Sequence, residues 1–222
     1  LNFLIQDGET FKPQQKIIEL KGPTKALLTG ERTALNIAMH LSGIATATSY
    51  MVSQLKGTGV QLADTRKTTP GLRVLEKYAT KCGGGLNHRM GLDDAVMLKE
   101  NHLAWCNDLK STLQTIREKS PWTIKIIVEA ENPSQAEEAV MAGADGVLLD
   151  EISVEVLLKL VPRLRKLAEG RKINQAPQNI VLEASGINPE NLKKYAATGI
   201  DLISTSAAIT KSSWIDFSMR FN

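Results

Sequence analysis

A chain of 222 residues that is 42% hydrophobic can bury a full core, enough for one large α/β barrel or for two domains. Its net charge of +3 is too small to argue for nucleic acid, and the 5% aromatic content lacks the interleaving of rings and cations that strand-binding surfaces use. No apolar run approaches the ~20 residues of a membrane-spanning helix, and Cys82 and Cys106 form no CxxC pair, which argues against a metal or disulfide scaffold and for free thiols in a soluble, cytoplasmic protein.

The chain opens at Leu1 without an initiator Met or a basic-then-apolar leader, so it is expected to be the remainder of a longer polypeptide, with part of its first domain absent. Residues 1 to 30 read as short extended pieces, Phe3 to Ile5 and Lys16 to Leu20, with a turn at Asp7-Gly8 and a break at Gly22-Pro23. From Glu31, the apolar spacing of Leu35, Ala38, Met39 and Leu41 predicts a helix. Gly43 supplies its stop before a second helix begins in SGIATATSYMVSQL. The two helices are expected to link a first domain, residues 1–42, to a second, residues 43–210, with the tail 211–222 packing back on the first.

After Gly59, short apolar runs alternate with capped helical stretches, the pattern of βα units in a parallel sheet. Strands are predicted at Val60 to Ala63, Ala95 to Leu98, Ile124 to Val128, Gly146 to Leu149, Ile180 to Leu182 and Ile200 to Ile203. Helices are predicted near 71 to 81, 108 to 119, 133 to 142, 153 to 168 and 189 to 198. Asn132-Pro133 with Gly143, and Asn188-Pro189 with Gly199, are full start and stop marks. Pro162 is expected to kink or split the fourth helix.

A polar residue follows each apolar run: Asp64, Lys99, Glu129, Asp150, Glu183 with Ser185, and Ser204. In a parallel barrel these ends share the face on which βα loops build sites. The plain alternative is that residues leaving a buried strand are polar because they meet solvent; the convergence of both signs favours a site. Arg66, Lys67, His88, Arg89 and Lys99 fall between Asp64 and His102, too many cations in too apolar a setting for a solvated tail. Arg66 and Lys67 point apart on an extended backbone, so they suit two different anionic groups: a bidentate Arg a carboxylate, a Lys a phosphate. Glu129 and Asp150 offer hard oxygen ligands for Mg²⁺ held partly by substrate. Ser185-Gly186 before the helix start at Asn188, and the hydroxyls of Ser204, Thr205 and Ser206, are expected to receive a phosphate.

DTRKTTPGLRVLEKYATKCGGGLNHRMGLDDAVMLKENH, together with ERTALN, SGIATAT, VEAEN, AGADGVLLDE and LEASG, resembles the quinolinate phosphoribosyltransferase family over essentially the whole chain. The resemblance implies a small N-terminal α/β domain and an incomplete α/β barrel. It also implies a homodimer, and a reaction of quinolinate with phosphoribosyl pyrophosphate giving nicotinate mononucleotide, pyrophosphate and CO₂ with Mg²⁺. Carried over by motif, Arg32 of ERT reaches the partner's site, and Arg66, Arg89 and Lys99 hold the quinolinate carboxylates. Lys67 and His88 line the pocket with catalytic roles, Glu129 and Asp150 serve ribose hydroxyls and Mg²⁺, and Ser185, Gly186, Ser204, Thr205 and Ser206 bind the 5-phosphate. The family has two glycines after LEAS where this chain has Gly186 and then Ile187, which shortens the expected phosphate loop. Two other readings fit the cations less well: a related phosphoribosyltransferase acting on nicotinate, whose single carboxylate needs no such clamp, and a phosphate- or nucleic-acid-binding module without turnover.

Overall fold

The chain enters the fold through an antiparallel ladder between β1 (Asn2–Phe3) and β2 (Ile18–Glu19), with Phe3 opposite Ile18. The computed structural model describes residues 1–170, 172–173, 176–177 and 179–221. The turn at Asp7-Gly8 is present, Gly8 taking a φ of +87° that a side chain resists. Tyr78 Oη donates to Asp7 Oδ2 at 2.7 Å, tying this segment to a later helix. That hydrogen bond, with Cys82 beside it, pushes the Tyr78 pKa up to about 12.

The two helices expected around Gly43 are one. The helix α1 (Thr24–Leu55) runs unbroken for 32 residues, and Gly43 is buried within it. A Cβ at Gly43 would collide with the carbonyl oxygen of Ser213. The glycine therefore marks a close approach of two backbones and not a stop. The C-terminal tail lies along the same helix, where Ile215 N donates to Met39 O at 3.1 Å and Trp214 packs at a tilt near His40 with ring centroids 5.8 Å apart; beyond it Phe217 meets Phe11 of the N-terminal segment at 5.6 Å. Asn222, the end of the expected tail, lies outside the described residues.

The remaining elements alternate as the apolar runs predict. They are β3 (Gln61–Ala63), α2 (Arg73–Cys82), β4 (Val96–Leu98), α3 (Glu100–Leu103), α4 (Leu109–Lys119), β5 (Ile126–Ala130), α5 (Pro133–Ala142), β6 (Gly146–Asp150), α6 (Val154–Ala168), β7 (Lys172–Ile173), β8 (Ala176–Pro177), β9 (Val181–Ser185), α7 (Leu192–Ala196), β10 (Leu202–Ser204) and α8 (Ala207–Thr210). The short β7 and β8 pair with each other, antiparallel. The other six form one parallel sheet in the order β3-β10-β9-β6-β5-β4. Among the described residues no ladder joins β3 to β4, so the barrel is incomplete. On the β3 side the chain around Leu86 extends the sheet by a bridge to Ala63.

Local signals that need no tertiary partner set the best-defined helix. Asn132 Oδ1 accepts from Gln135 N at 3.0 Å, Pro133 opens α5, and Gly143 closes it at φ +98°. Pro162 does not split α6, which stays helical from Val154 to Ala168. The carbonyl it leaves without an N–H belongs to Leu158, a residue on the solvent side of the helix. The helix predicted over 189 to 198 is instead a 3₁₀ turn, Pro189–Asn191, followed by the short α7.

Alternation along the strands sorts the side chains into two layers. Leu62, Leu98, Val128, Leu149, Leu182 and Ile203 belong to the core between sheet and helices. At about 25 cal/mol per Å² of apolar surface removed from water, this layer supplies most of the drive for folding. Lys99, Glu129, Asp150, Glu183, Ser185 and Ser204 alternate with them and face the barrel interior.

Candidate active site

Register puts the interior polar residues into two tiers. Glu129 lies beside Leu148, Leu148 beside Glu183, and Glu183 beside Leu202, forming one tier. Asp150 pairs with Ser185 in the tier nearer the mouth. Lys99 reaches across from the end of β4 to ion-pair with Glu129. From the other side His88 Nε2 meets Glu183 Oε2 at 3.3 Å. The lower tier is thus an apolar Leu148 flanked by a lysine–carboxylate ion pair on one side and a histidine–carboxylate contact on the other. Glu183 Oε1 is buried with no hydrogen-bond partner, although the residue is 3% exposed.

Asp64 departs from its expected place. It shares the parity of Leu62, so it faces outward to α2, where it ion-pairs with Lys77, which is 1% exposed. Asp64 also accepts from His88 N and from Asn87 Nδ2, each at 2.8 Å, and Lys77 Nζ donates to His88 O at 2.8 Å. Asp64 therefore holds the loop that carries His88 and Arg89 and does not line the cavity. His88 Nδ1 accepts from Arg89 N at 2.7 Å, which leaves the ring proton on Nε2, facing Glu183.

The guanidinium of Arg89 donates to Ala95 O at 2.8 Å and so spans the gap in the barrel, just ahead of β4. Burial first, and then the charge of Arg66, lowers the Arg89 pKa from its ordinary value. Neither cation forms an ion pair with a carboxylate among the described residues. Arg73 braces this corner, donating to Met90 O at 3.0 Å and to Thr68 Oγ1 at 3.1 Å. Lys67 diverges from Arg66, but in a tight turn and not on the extended backbone expected: Lys67 N donates to Thr65 Oγ1 and Thr68 N to Arg66 O, each at 3.0 Å. Lys67 lines a separate cavity of about 520 Å³ with His40, Thr68, Thr69, Thr210 and Trp214. Arg32 stands exposed on α1.

Acids gather on the opposite side. Glu131 shares a hydrogen bond with Glu100, and that contact, with the charges of Glu100, Asp150 and Glu129, holds its carboxyl above the usual range. Crowded carboxylates of this kind, all oxygen donors, suit a hard divalent cation. No group of three or more His, Cys, Asp or Glu among the described residues converges closely enough to hold a metal by itself.

At the expected phosphate loops, Gly186 has φ +71°, and a Cβ there would meet Glu151 Cγ at 2.5 Å. Glu151 itself sits at φ +53°, a strained conformation beside Asp150. Asn188 Oδ1 already accepts from Glu190 N at 3.2 Å, and α7 is short, so the helix-dipole site expected there is weak. Thr205 Oγ1 accepts from Ala207 N at 3.1 Å, and Ser204 Oγ is buried without a partner, while Ser206 leads into α8.

The structure brings Arg66 to Arg89, Lys99 to Glu129, and Asp150 to Ser185; it leaves Lys67 and Arg32 away from that grouping. Sequence reasoning missed Lys77 as the partner of Asp64. It named Glu183 as a strand end without giving it a role, although period-two alternation puts Glu183 on the same face as Ser185.

Comparison with known proteins follows the same outline. The family described as "Quinolinate phosphoribosyl transferase, C-terminal domain" matches residues 44–220, and its N-terminal counterpart matches residues 1–42. A relative from Synechocystis, described as a probable nicotinate-nucleotide pyrophosphorylase (carboxylating), is 41% identical over 98% of this chain and 71% of its own length. One of the same description from Bacillus subtilis is 40% identical over 96% of this chain and 70% of its own. The solved nicotinate-nucleotide pyrophosphorylase of Francisella tularensis superposes with a TM-score of 0.86 at 35% identity, covering 97% of this chain and 72% of that one.

Proposed function

Because the chain belongs to the quinolinate phosphoribosyltransferase family, we propose that the barrel mouth binds quinolinate through Arg66, Arg89 and Lys99 and turns it over with phosphoribosyl pyrophosphate. The enzyme is a decarboxylating phosphoribosyltransferase of NAD biosynthesis, forming nicotinate mononucleotide, pyrophosphate and CO₂. One observation carries the assignment of the clamp: two adjacent, half-buried guanidiniums without an acidic partner among the described residues. Such a pair is costly until an anion arrives, and a ligand with two neighbouring carboxylates meets both charges.

The chemistry follows from charge placement. Quinolinate is a dianion with a weakly nucleophilic ring nitrogen, and the clamp offsets its charge and fixes that nitrogen toward the anomeric carbon. The nitrogen lone pair forms the bond to C1 of the ribose as the C1–O bond to pyrophosphate breaks. Glu129 and Asp150 stabilise positive charge on the ribose ring and receive its hydroxyls. Glu129 and Asp150 would hold Mg²⁺, which when bound would offset the charge of the departing pyrophosphate. The quaternised ring then draws the electron pair of the adjacent carbon–carboxylate bond into itself, CO₂ leaves, and a proton replaces it at that carbon. Ser185, Gly186, Ser204, Thr205 and Ser206 receive the 5-phosphate, and His88 borders the substrates, while Lys67 stands in the separate cavity.

The working unit in this reading is a homodimer in the cytoplasm. Arg32 is exposed on α1 one turn after Leu28, which is 55% exposed; an arginine beside an apolar side chain suits contact with a second copy, whose site Arg32 would enter. Among the described residues, no helix is long and apolar enough to cross a membrane. Incubation with quinolinate, phosphoribosyl pyrophosphate and Mg²⁺, following CO₂ and mononucleotide together, tests the reading. Equal release of both supports it, and mononucleotide formed from nicotinate but not from quinolinate overturns it.

A further inference from the structure

The Leu86 segment runs beside β3 like an extra strand: Leu86 N donates to Leu62 O at 2.7 Å, and Asp64 N donates to Leu86 O at 3.0 Å. The ladder then runs out, because β3 ends at Ala63. The next peptide groups that a neighbouring strand would satisfy are those of His88. Side chains take them instead: Asp64 supplies the acceptor for His88 N, and Lys77 supplies the donor for His88 O, each at 2.8 Å. Asn87 Nδ2 ties the pair together, donating to Asp64 Oδ2 and to Lys77 O, both at 2.8 Å.

We propose that the buried Asp64–Lys77 pair acts as a substitute strand edge that positions His88 and Arg89, and so sets the affinity for quinolinate. This rests on the reading of the mouth as a quinolinate clamp. Both residues are nearly solvent-free, 2% and 1% exposed, and neither lines the cavity, so they are positioning residues. A buried ion pair adds little net stability over apolar residues of the same size, because desolvation offsets its attraction. What an apolar pair cannot do is grip one residue at both its N–H and its C=O, and so fix the peptide groups on either side of it. With that grip, the Arg89 backbone is fixed one residue on, and its side chain reaches Ala95 O across the gap in the barrel. A displacement of about 1 Å in such a group is enough to cost a large factor in turnover.

The test is the double variant Asp64→Leu with Lys77→Met, which removes both charges together, leaves neither stranded, and takes away both the acceptor for His88 N and the donor to His88 O. Amide hydrogen exchange at His88 and steady-state kinetics are read on the full chain. The expected result is faster exchange at His88 and a quinolinate KM raised about 10-fold, with the phosphoribosyl pyrophosphate KM within about twofold of the parent. Unchanged exchange overturns the grip, and faster exchange with an unchanged quinolinate KM overturns its role in binding. A general loss of structure would raise both KM values together, which also contradicts the proposal. Should the double variant not fold, Asn87→Ala gives the same readouts from an exposed position, with a smaller rise in quinolinate KM expected and no rise overturning the proposal. A parent chain that fails to turn over quinolinate at all refutes the clamp reading, and the exchange measurement still decides whether the grip exists.

Discussion

Arg89 lies near enough to Arg66 that, after burial, the Arg66 charge is the largest cause lowering its pKa. Like charges held together in a half-buried corner are unfavourable on their own, and in the proposed clamp a dianionic ligand offsets them. Arg89→Ala is therefore expected to lose about 100-fold in kcat/KM for quinolinate, the scale seen when one preorganised charge-stabilising donor is removed. Thermal stability should hold or rise, since the repulsion goes with the side chain. Kinetics and a melting curve on one preparation check both halves. A large fall in melting temperature would mean that the arginine is structural.

Glu76 carries a pH dependence of stability. Its side chain is buried; burial alone would raise its pKa, but hydrogen bonds from Thr69 and His40 overcome this and hold it below the ordinary 4.5. Thr69 N donates to Oε2 at 2.9 Å, and His40 Nε2 contacts Oε1 at 2.7 Å. A carboxyl with a depressed folded pKa stabilises fully above its unfolded value, and that stability is lost as pH falls through the folded one. Glu76→Gln should thus cost about 1–3 kcal/mol at neutral pH. Its deficit against the parent should shrink below about pH 4, as the parent carboxyl protonates. Denaturant titrations at several pH values measure the gap; a gap that widens on acidification contradicts the assignment.

Gly43→Ala tests the close approach of α1 to the tail. In an exposed helix interior this change would stabilise. Here the added methyl meets the Ser213 carbonyl, so the variant should lose about 1–3 kcal/mol as the tail is displaced. Increased Trp214 fluorescence exposure together with a lower denaturation midpoint is the expected signature. A more stable variant would show that the contact yields freely.

At Gly186, alanine would combine the cost of a positive φ, about 1 kcal/mol, with contact against Glu151. Turning that loop should raise the KM for phosphoribosyl pyrophosphate about 10-fold while leaving quinolinate binding, measured by calorimetry, near the parent value. A change in quinolinate binding of equal size would remove Gly186 from the phosphate loop.

What the sequence makes legible is whatever short-range chemistry decides. Asn132, Pro133 and Gly143 bound α5 through caps that act within a single turn, and the apolar runs place every strand of the barrel. Gly43 misleads because its partner, Ser213, is distant along the chain; a glycine demanded by a close approach looks the same as one that ends a helix. Lys77 sits in an amphipathic stretch and resembles a solvated lysine until α2 is laid against the end of β3. Asp64 is different. Counting alternate residues from Leu62 would have turned it outward, and the same count from Ser185 would have put Glu183 inside. Lys67 parts from Arg66 through a tight turn that the sequence read as extended, and no local rule says which side of the chain either cation takes.

If paired guanidiniums choose a pyridine with two carboxylates, the choice is read in the ratio of kcat/KM for quinolinate to that for nicotinate, in the parent and in Arg66→Ala and Arg89→Ala. A large ratio in the parent should collapse by about 100-fold in each variant because quinolinate turnover falls. A ratio that stays the same after either arginine is removed would contradict that choice.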